Sequence, residues 1–209
     1  MGKLQTRNEE IINSITHAFG AFLAIPGTVV LIVQAAFRGD PARIVAVSVF
    51  GATLILLYTA STLYHSVPIS TAKSRLRIVD HVAIYYLIAG TYTPFTLGPL
   101  RGAWGWSLFG VVWGLAILGT ILKLFTIGRL RVLSVVIYVA MGWIVVIAVR
   151  PLVAALSPLT LGWLVGGGVA YTAGIVFYAN QRLAFSHGVW HVFVLAGSIC
   201  HYVAVFTLD

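Results

Sequence analysis

Seven stretches of about twenty predominantly apolar residues follow one another along this chain, at roughly 15–37, 43–66, 78–98, 103–124, 131–149, 160–179 and 186–207. As an α-helix, each is long enough to cross about 30 Å of hydrocarbon at about 1.5 Å per residue. The chain has 209 residues, 60% of them hydrophobic and 9% charged, which is more apolar surface than one soluble core can bury. The expected fold is therefore an all-α polytopic membrane protein, a bundle of seven transmembrane helices. Short connections make consecutive helices antiparallel neighbours. Residues 15–209 form a single transmembrane domain. Residues 1–14 form a short N-terminal segment, and Leu4, Ile11, Ile12 and Ile15 among polar neighbours predict an interfacial helix over 4–16. No internal repeat and no soluble domain is visible.

The net charge of +8 does not imply a nucleic-acid partner, because the basic residues lie in short loops between apolar runs, where they act as topology signals. With a cytoplasmic N-terminus, one side carries Lys3, Arg7, Lys73, Arg75, Arg77, Lys123, Arg129, Arg131 and Arg182. The other carries Arg38, Arg43, Arg101 and Arg150. The bias predicts a cytoplasmic N-terminus, an external C-terminus and residence in the cell (inner) membrane. Trp104 and Trp106 suit an outer interfacial belt. The one cysteine, Cys200, excludes an internal disulfide and a cysteine-based zinc knuckle. No cleavable signal peptide is evident. Gly166–Gly167–Gly168 in the sixth span is read as a site of close helix packing.

All six histidines, His17, His65, His81, His187, His191 and His201, fall in or at the edge of an apolar run, and Asp80 is the acidic residue well inside one. Ionisable groups in lipid cost about 2.5–3.5 kcal/mol on insertion scales, which makes them functional candidates. Ser61 and His65 form an S-x3-H pair, and His187 and His191 an H-x3-H pair. Residues i and i+4 share a helix face, so each pair can aim two polar groups at one point. The predicted topology brings the end of span two, the start of span three and the start of span seven to the cytoplasmic surface. Ser61, His65, Asp80, His187 and His191 then share one layer, with His17 at the same level. His201, 14 residues past His187, lies about 21 Å deeper by helix rise and cannot join them.

Three neutral imidazoles from His65, His187 and His191 make a tripod of the kind that holds zinc with a fourth position left to water. The donor set alone is also compatible with copper, iron or nickel. Water on zinc ionises near pH 7 and becomes a nucleophile. Asp80 is then placed to orient or deprotonate it, and Ser61 to bond the water or a polarised carbonyl oxygen. Each has a plainer alternative. Ser61 can bond a carbonyl one turn back, and Asp80 can pair with Arg75 or Arg77 at the interface. His81, next to Asp80, is expected to turn about 100° away. Thr16 and His17 are candidates for helix capping and for support of the centre.

These motifs resemble the progestin and adipoQ receptor family, and more closely its short bacterial branch, the hemolysin III-like proteins. The stretches that carry the resemblance are Asn13 to His17, Ser61 to His65, Asp80 to Pro94 and His187 to His201. It implies seven helices and an intramembrane zinc site, within a wider group of membrane hydrolases that includes the alkaline ceramidases. It also implies His65, His187 and His191 as zinc ligands, Asp80 holding the zinc-bound water, and Ser61 beside it. The long cytoplasmic region that precedes the first span of adiponectin receptors has no counterpart here, so a hormone ligand is not expected.

The function expected from these residues is metal-dependent hydrolysis of a lipid amide or ester near the cytoplasmic leaflet, with membrane lipid as substrate or ligand. One alternative is a sensor of membrane state with a structural zinc, which a protein side chain closing the fourth position would favour. A channel or hemolysin-type cytolysin would need a continuous polar lining, yet spans four and five carry almost no ionisable residues. Haem held by two histidines would need ligands on either side of a wide ring, which H-x3-H on one helix face does not supply.

Overall fold

The computed structural model describes residues 5–125, 131–180 and 182–208, with Arg131 described by its backbone alone. Lys3, Leu4 and Arg129 of the expectations above lie outside the described residues. Helices account for nearly everything described: α1 (Arg7–Phe37), α2 (Pro41–Ser66), α3 (Thr71–Leu97), α4 (Ala103–Phe125), α5 (Arg131–Trp143), α6 (Val149–Ala155), α7 (Pro158–Ala179) and α8 (Ser186–Phe206). A 3-10 stretch, Ile144–Ala148, joins α5 to α6, and no strand occurs among the described residues.

The helix starts follow local chemistry. Thr6 and Glu9 form a reciprocal capping box on α1, so that helix begins at Arg7 and runs unbroken through the first apolar run. Asp40 caps α2 ahead of Pro41, Ser70 caps α3, and Ser157 caps α7 ahead of Pro158. The fifth apolar run departs from a single straight helix. Pro151 lacks an N–H and crowds the carbonyl four residues back, which loosens the turn before it. The Tyr92 hydroxyl enters this break, donating to the Gly142 carbonyl at 3.0 Å and accepting from the Val145 N–H at 3.1 Å. With these backbone groups satisfied, the helical path continues to Ala155, beyond the expected end near residue 149.

Among the described residues, six segments are long and apolar enough to cross a bilayer: α1, α2, α4, Val132–Ala155, α7 and α8. The chain is an all-α, multi-pass membrane protein. Large apolar side chains such as Phe22, Phe37, Val132 and Val176 face outward, as a lipid-facing surface requires.

Consecutive helices pack as neighbours, α1 on α2, α2 on α3, α3 on α4 and α7 on α8, while α1 also touches α8. Phe50, Leu57 and Tyr58 of α2 meet Leu31 of α1 and Val194 and Val205 of α8 in the main core. Tyr85 and Ala89 of α3 meet Val112 and Ala116 of α4 and Met141 of α5 in a second. Gly167, in the expected packing triplet, gives the His201 ring its seat, since a Cβ there would lie 2.2 Å from that ring. The His201 Nε2–H donates to the Leu164 carbonyl at 3.1 Å, which ties α8 to α7. At the far end of α8, Arg38 donates to the Leu208 carbonyl at 2.9 Å and Arg43 donates to the same oxygen. Cations there complement the C-terminal end of the helix.

Candidate metal centre

Three helices each bring a polar pair with i, i+4 spacing to one end of the bundle: Asn13 and His17 on α1, Ser61 and His65 on α2, His187 and His191 on α8. One donor atom from each of His65, His187 and His191 lies within 4.8 Å of the others. Their ring centroids are 5.2 Å apart for His65 and His187, 5.0 Å for His65 and His191, and 4.6 Å for His187 and His191. Gly188 lets α1 approach this face of α8, because a Cβ there would come within 3.1 Å of Ile12 and 3.2 Å of Asn13 Oδ1.

Hydrogen bonds set which ring nitrogen His65 and His191 present. The His65 Nδ1–H donates to Glu10 Oε2 at 2.6 Å, leaving Nε2 buried and without a partner. The His191 Nδ1–H donates to the Asn13 carbonyl at 3.1 Å, leaving Nε2 to face inward. A ligating histidine is held in this way, its other N–H given to a carboxylate or carbonyl. Glu10 is itself held by Lys73, whose ammonium lies 2.9 Å from Oε1 and donates to the Tyr64 and Val67 carbonyls at 3.0 and 3.1 Å. Glu9 completes the backing: its Oε1 accepts from the Phe185 N–H at 3.1 Å. That bond supports Phe185 in a left-handed conformation, φ 58°, at the turn into α8 just before His187.

Asp80 is buried on α3, with Oδ2 3.6 Å from His81 Nδ1. His81 donates from Nδ1 to the Arg77 carbonyl at 2.6 Å. Although expected to turn away, it lines the same cavity as Asp80, Ser61, His17, His187 and His191. The cavity has a volume of about 140 Å³ and extends between α3, α5, α7 and α8 to Thr172 and His201. Its walls are mainly apolar and include Leu57, Ile84, Leu87 and Val194. His201 thus sits at the other end of the cavity, apart from the tripod, as its offset in sequence implied.

The donor set fits a metal ion. Three imidazoles converge, two of them with the outer nitrogen committed to hydrogen bonds, and the inner polar atoms lack partners: His65 Nε2, both nitrogens of His17, Ser61 Oγ and Asn13 Oδ1. Buried polar atoms are nearly always paired, so such a cluster points to a polar group that these atoms hold together. Glu10, Glu9 and Asn13 are the supporting residues that the sequence reading did not single out. The signal was the repeat of i, i+4 spacing on α1, where Asn13 precedes His17 as Ser61 precedes His65.

A family model described as "Haemolysin-III related" matches residues 5–202. The chain is 46% identical over 200 residues to a Hemolysin-3 homolog of Bacillus subtilis (strain 168), covering 96% of this chain and 94% of that one. It is 43% identical over 197 residues to Hemolysin-3 of Bacillus cereus, covering 94% and 90%. More distantly, it is 30% identical over 209 residues to the monocyte to macrophage differentiation factor of Homo sapiens, covering 94% and 83%. The resemblance carried by the histidine, serine and aspartate motifs is borne out: the chain belongs to the haemolysin-III-related family of multi-pass membrane proteins.

Proposed function

We propose that this chain is a seven-span protein that holds zinc between His65, His187 and His191 and hydrolyses an amide or ester bond of a membrane lipid. The seventh span is α3. Its first turns carry Lys73, Arg75 and Arg77, which suit an interface, and its later half is apolar apart from threonines and tyrosines. Those threonines hide their hydroxyls by donating to the helix itself, Thr91 to Leu87 at 2.8 Å, Thr93 to Ala89 at 2.9 Å and Thr96 to Tyr92 at 3.0 Å. With seven spans and the charge bias read from the sequence, the N-terminus is cytoplasmic and the C-terminus external. A reporter active only outside the cytoplasm gives signal when fused after residue 208 and none when fused within 67–70. The reverse pattern overturns both the orientation and a cytoplasmic-side site.

The observation that carries the chemical reading is the histidine tripod at the polar end of a mainly apolar cavity. Bound there, zinc supplies a Lewis acid and lowers the pKa of a coordinated water. The cavity takes the acyl chain along Leu57, Ile84, Leu87 and Val194 and keeps bulk water out. Ser61, whose Oγ is buried without a partner, donates its O–H to the carbonyl oxygen as negative charge grows on it. Asp80 accepts a proton from the attacking water and returns it to the leaving nitrogen or oxygen. The products are a fatty acid and an amine or alcohol.

The test is release of fatty acid from ceramides and related acyl amides and esters by the purified protein. Zinc-loaded protein releases it, and protein stripped by a chelator does not until zinc is restored. No release across a broad lipid panel overturns the hydrolase reading in favour of a sensor with structural zinc. The name of the Bacillus cereus relative, Hemolysin-3, supports a second reading as a cytolysin, which lysis of erythrocytes by the purified protein would favour.

A further inference from the structure

Hydrolysis as proposed uses none of His17, His81 and His201. His17 is 4% exposed, and neither ring nitrogen has a hydrogen-bond partner. Its ring lies flat on His191, with centroids 3.5 Å apart and planes 11° apart, and meets Tyr58 edge-on at 5.1 Å. The ring lines the same cavity as Ser61 and Asp80, yet it stands outside the set of three whose donor atoms converge.

A histidine kept only for packing escapes the cost of burial by bonding a carbonyl. His201 does so with Leu164 and His81 with Arg77. His17 makes no such bond, although it is more deeply buried than either by exposed area. As a neutral imidazole it offers one N–H donor and one acceptor. The facing α2 presents Ser61 Oγ, also buried and unpartnered. Two donors therefore line a mainly apolar cavity together with His187 and His191 of the tripod. A ligand that satisfies both features brings an acceptor-only oxygen and a long apolar tail, which is the description of an acyl group.

We propose that His17 and Ser61 form a two-donor cradle for the acyl oxygen, which makes His17 a catalytic residue in contact with substrate. The assignment rests on the acyl-hydrolase reading and adds a second donor to it. The probe is dodecanoate, a product of that chemistry, titrated into the cobalt-loaded full chain in detergent. The visible spectrum of cobalt reports binding without any turnover.

In the wild type the spectrum shifts saturably. His17→Phe keeps the cobalt and the stacked ring but weakens dodecanoate roughly tenfold to hundredfold, the loss expected for a hydrogen bond to a charged acceptor. His17→Gln, which keeps an N–H donor, recovers most of that loss. Four results overturn the cradle. Loss of cobalt from His17→Phe makes His17 a ligand instead. Wild-type affinity in His17→Phe shows that the ring does not touch the acyl oxygen. Equal loss in the Phe and Gln variants assigns the ring to packing. A wild type that loads cobalt but ignores dodecanoate removes the acyl reading and the cradle together. If dodecanoate binds as expected but no lipid is turned over, hydrolysis alone falls and the cradle stands.

Discussion

Replacing Asp80 with Asn is expected to lower lipid hydrolysis by roughly 10²–10⁴-fold while zinc content stays at the wild-type level. The convergent donor set consists of three histidines and does not include Asp80, so the metal does not need this carboxylate. The attacking water does need a proton acceptor, and an amide of the same shape cannot serve. Asp80→Asn also keeps the volume of a buried side chain, which separates loss of chemistry from loss of fold. Fatty acid release and metal content measured on one preparation decide the matter. Zinc lost with the carboxylate would make Asp80 a ligand or a structural prop. Turnover retained would pass the base role to another group in the cavity.

The second large effect concerns the metal itself. Wild-type protein is expected to carry roughly one zinc per chain, and His65→Ala, His187→Ala and His191→Ala to fall to background, because two imidazoles leave too few ligands for a tetrahedral site. His201→Ala keeps its zinc. Its ring lies on Gly167 and donates to Leu164, at the other end of the cavity. Equal metal in all four variants would sink the tripod.

What the sequence disclosed about the site was its scarce, costly groups. Histidine and aspartate in apolar runs stand out because lipid penalises them, and i, i+4 spacing with alternating helix direction brings them to one level. What it hid was support from groups that are ordinary where they occur. Glu9 and Glu10 sit in a polar stretch read as interfacial, where carboxylates are unremarked, and only the packing of α1 against α2 and α8 brings Glu10 to His65 and Glu9 to the Phe185 N–H at the turn into α8. Asn13 holds His191 through its backbone carbonyl, a bond that does not depend on the residue type. In the fold, the six most apolar segments were legible from length and hydropathy, whereas the break after Trp143 was not. The expected end near residue 149 falls just before Pro151, and the hydroxyl that lets the helical path continue comes from Tyr92, on another helix.

The contact of α1 with α8 has a consequence for how the molecule is made. Asn13 and His191 are bonded across 178 residues of chain, so the centre joins α1 to α8. Closing a loop of that length is slow and entropically costly, and it follows insertion of every intervening segment. A nascent chain that has emerged through α7 already holds His17, His65 and Asp80 but has neither His187 nor His191. It cannot complete the tripod. Metal capture at the proposed centre would therefore wait until α8 has been inserted and docked against α1.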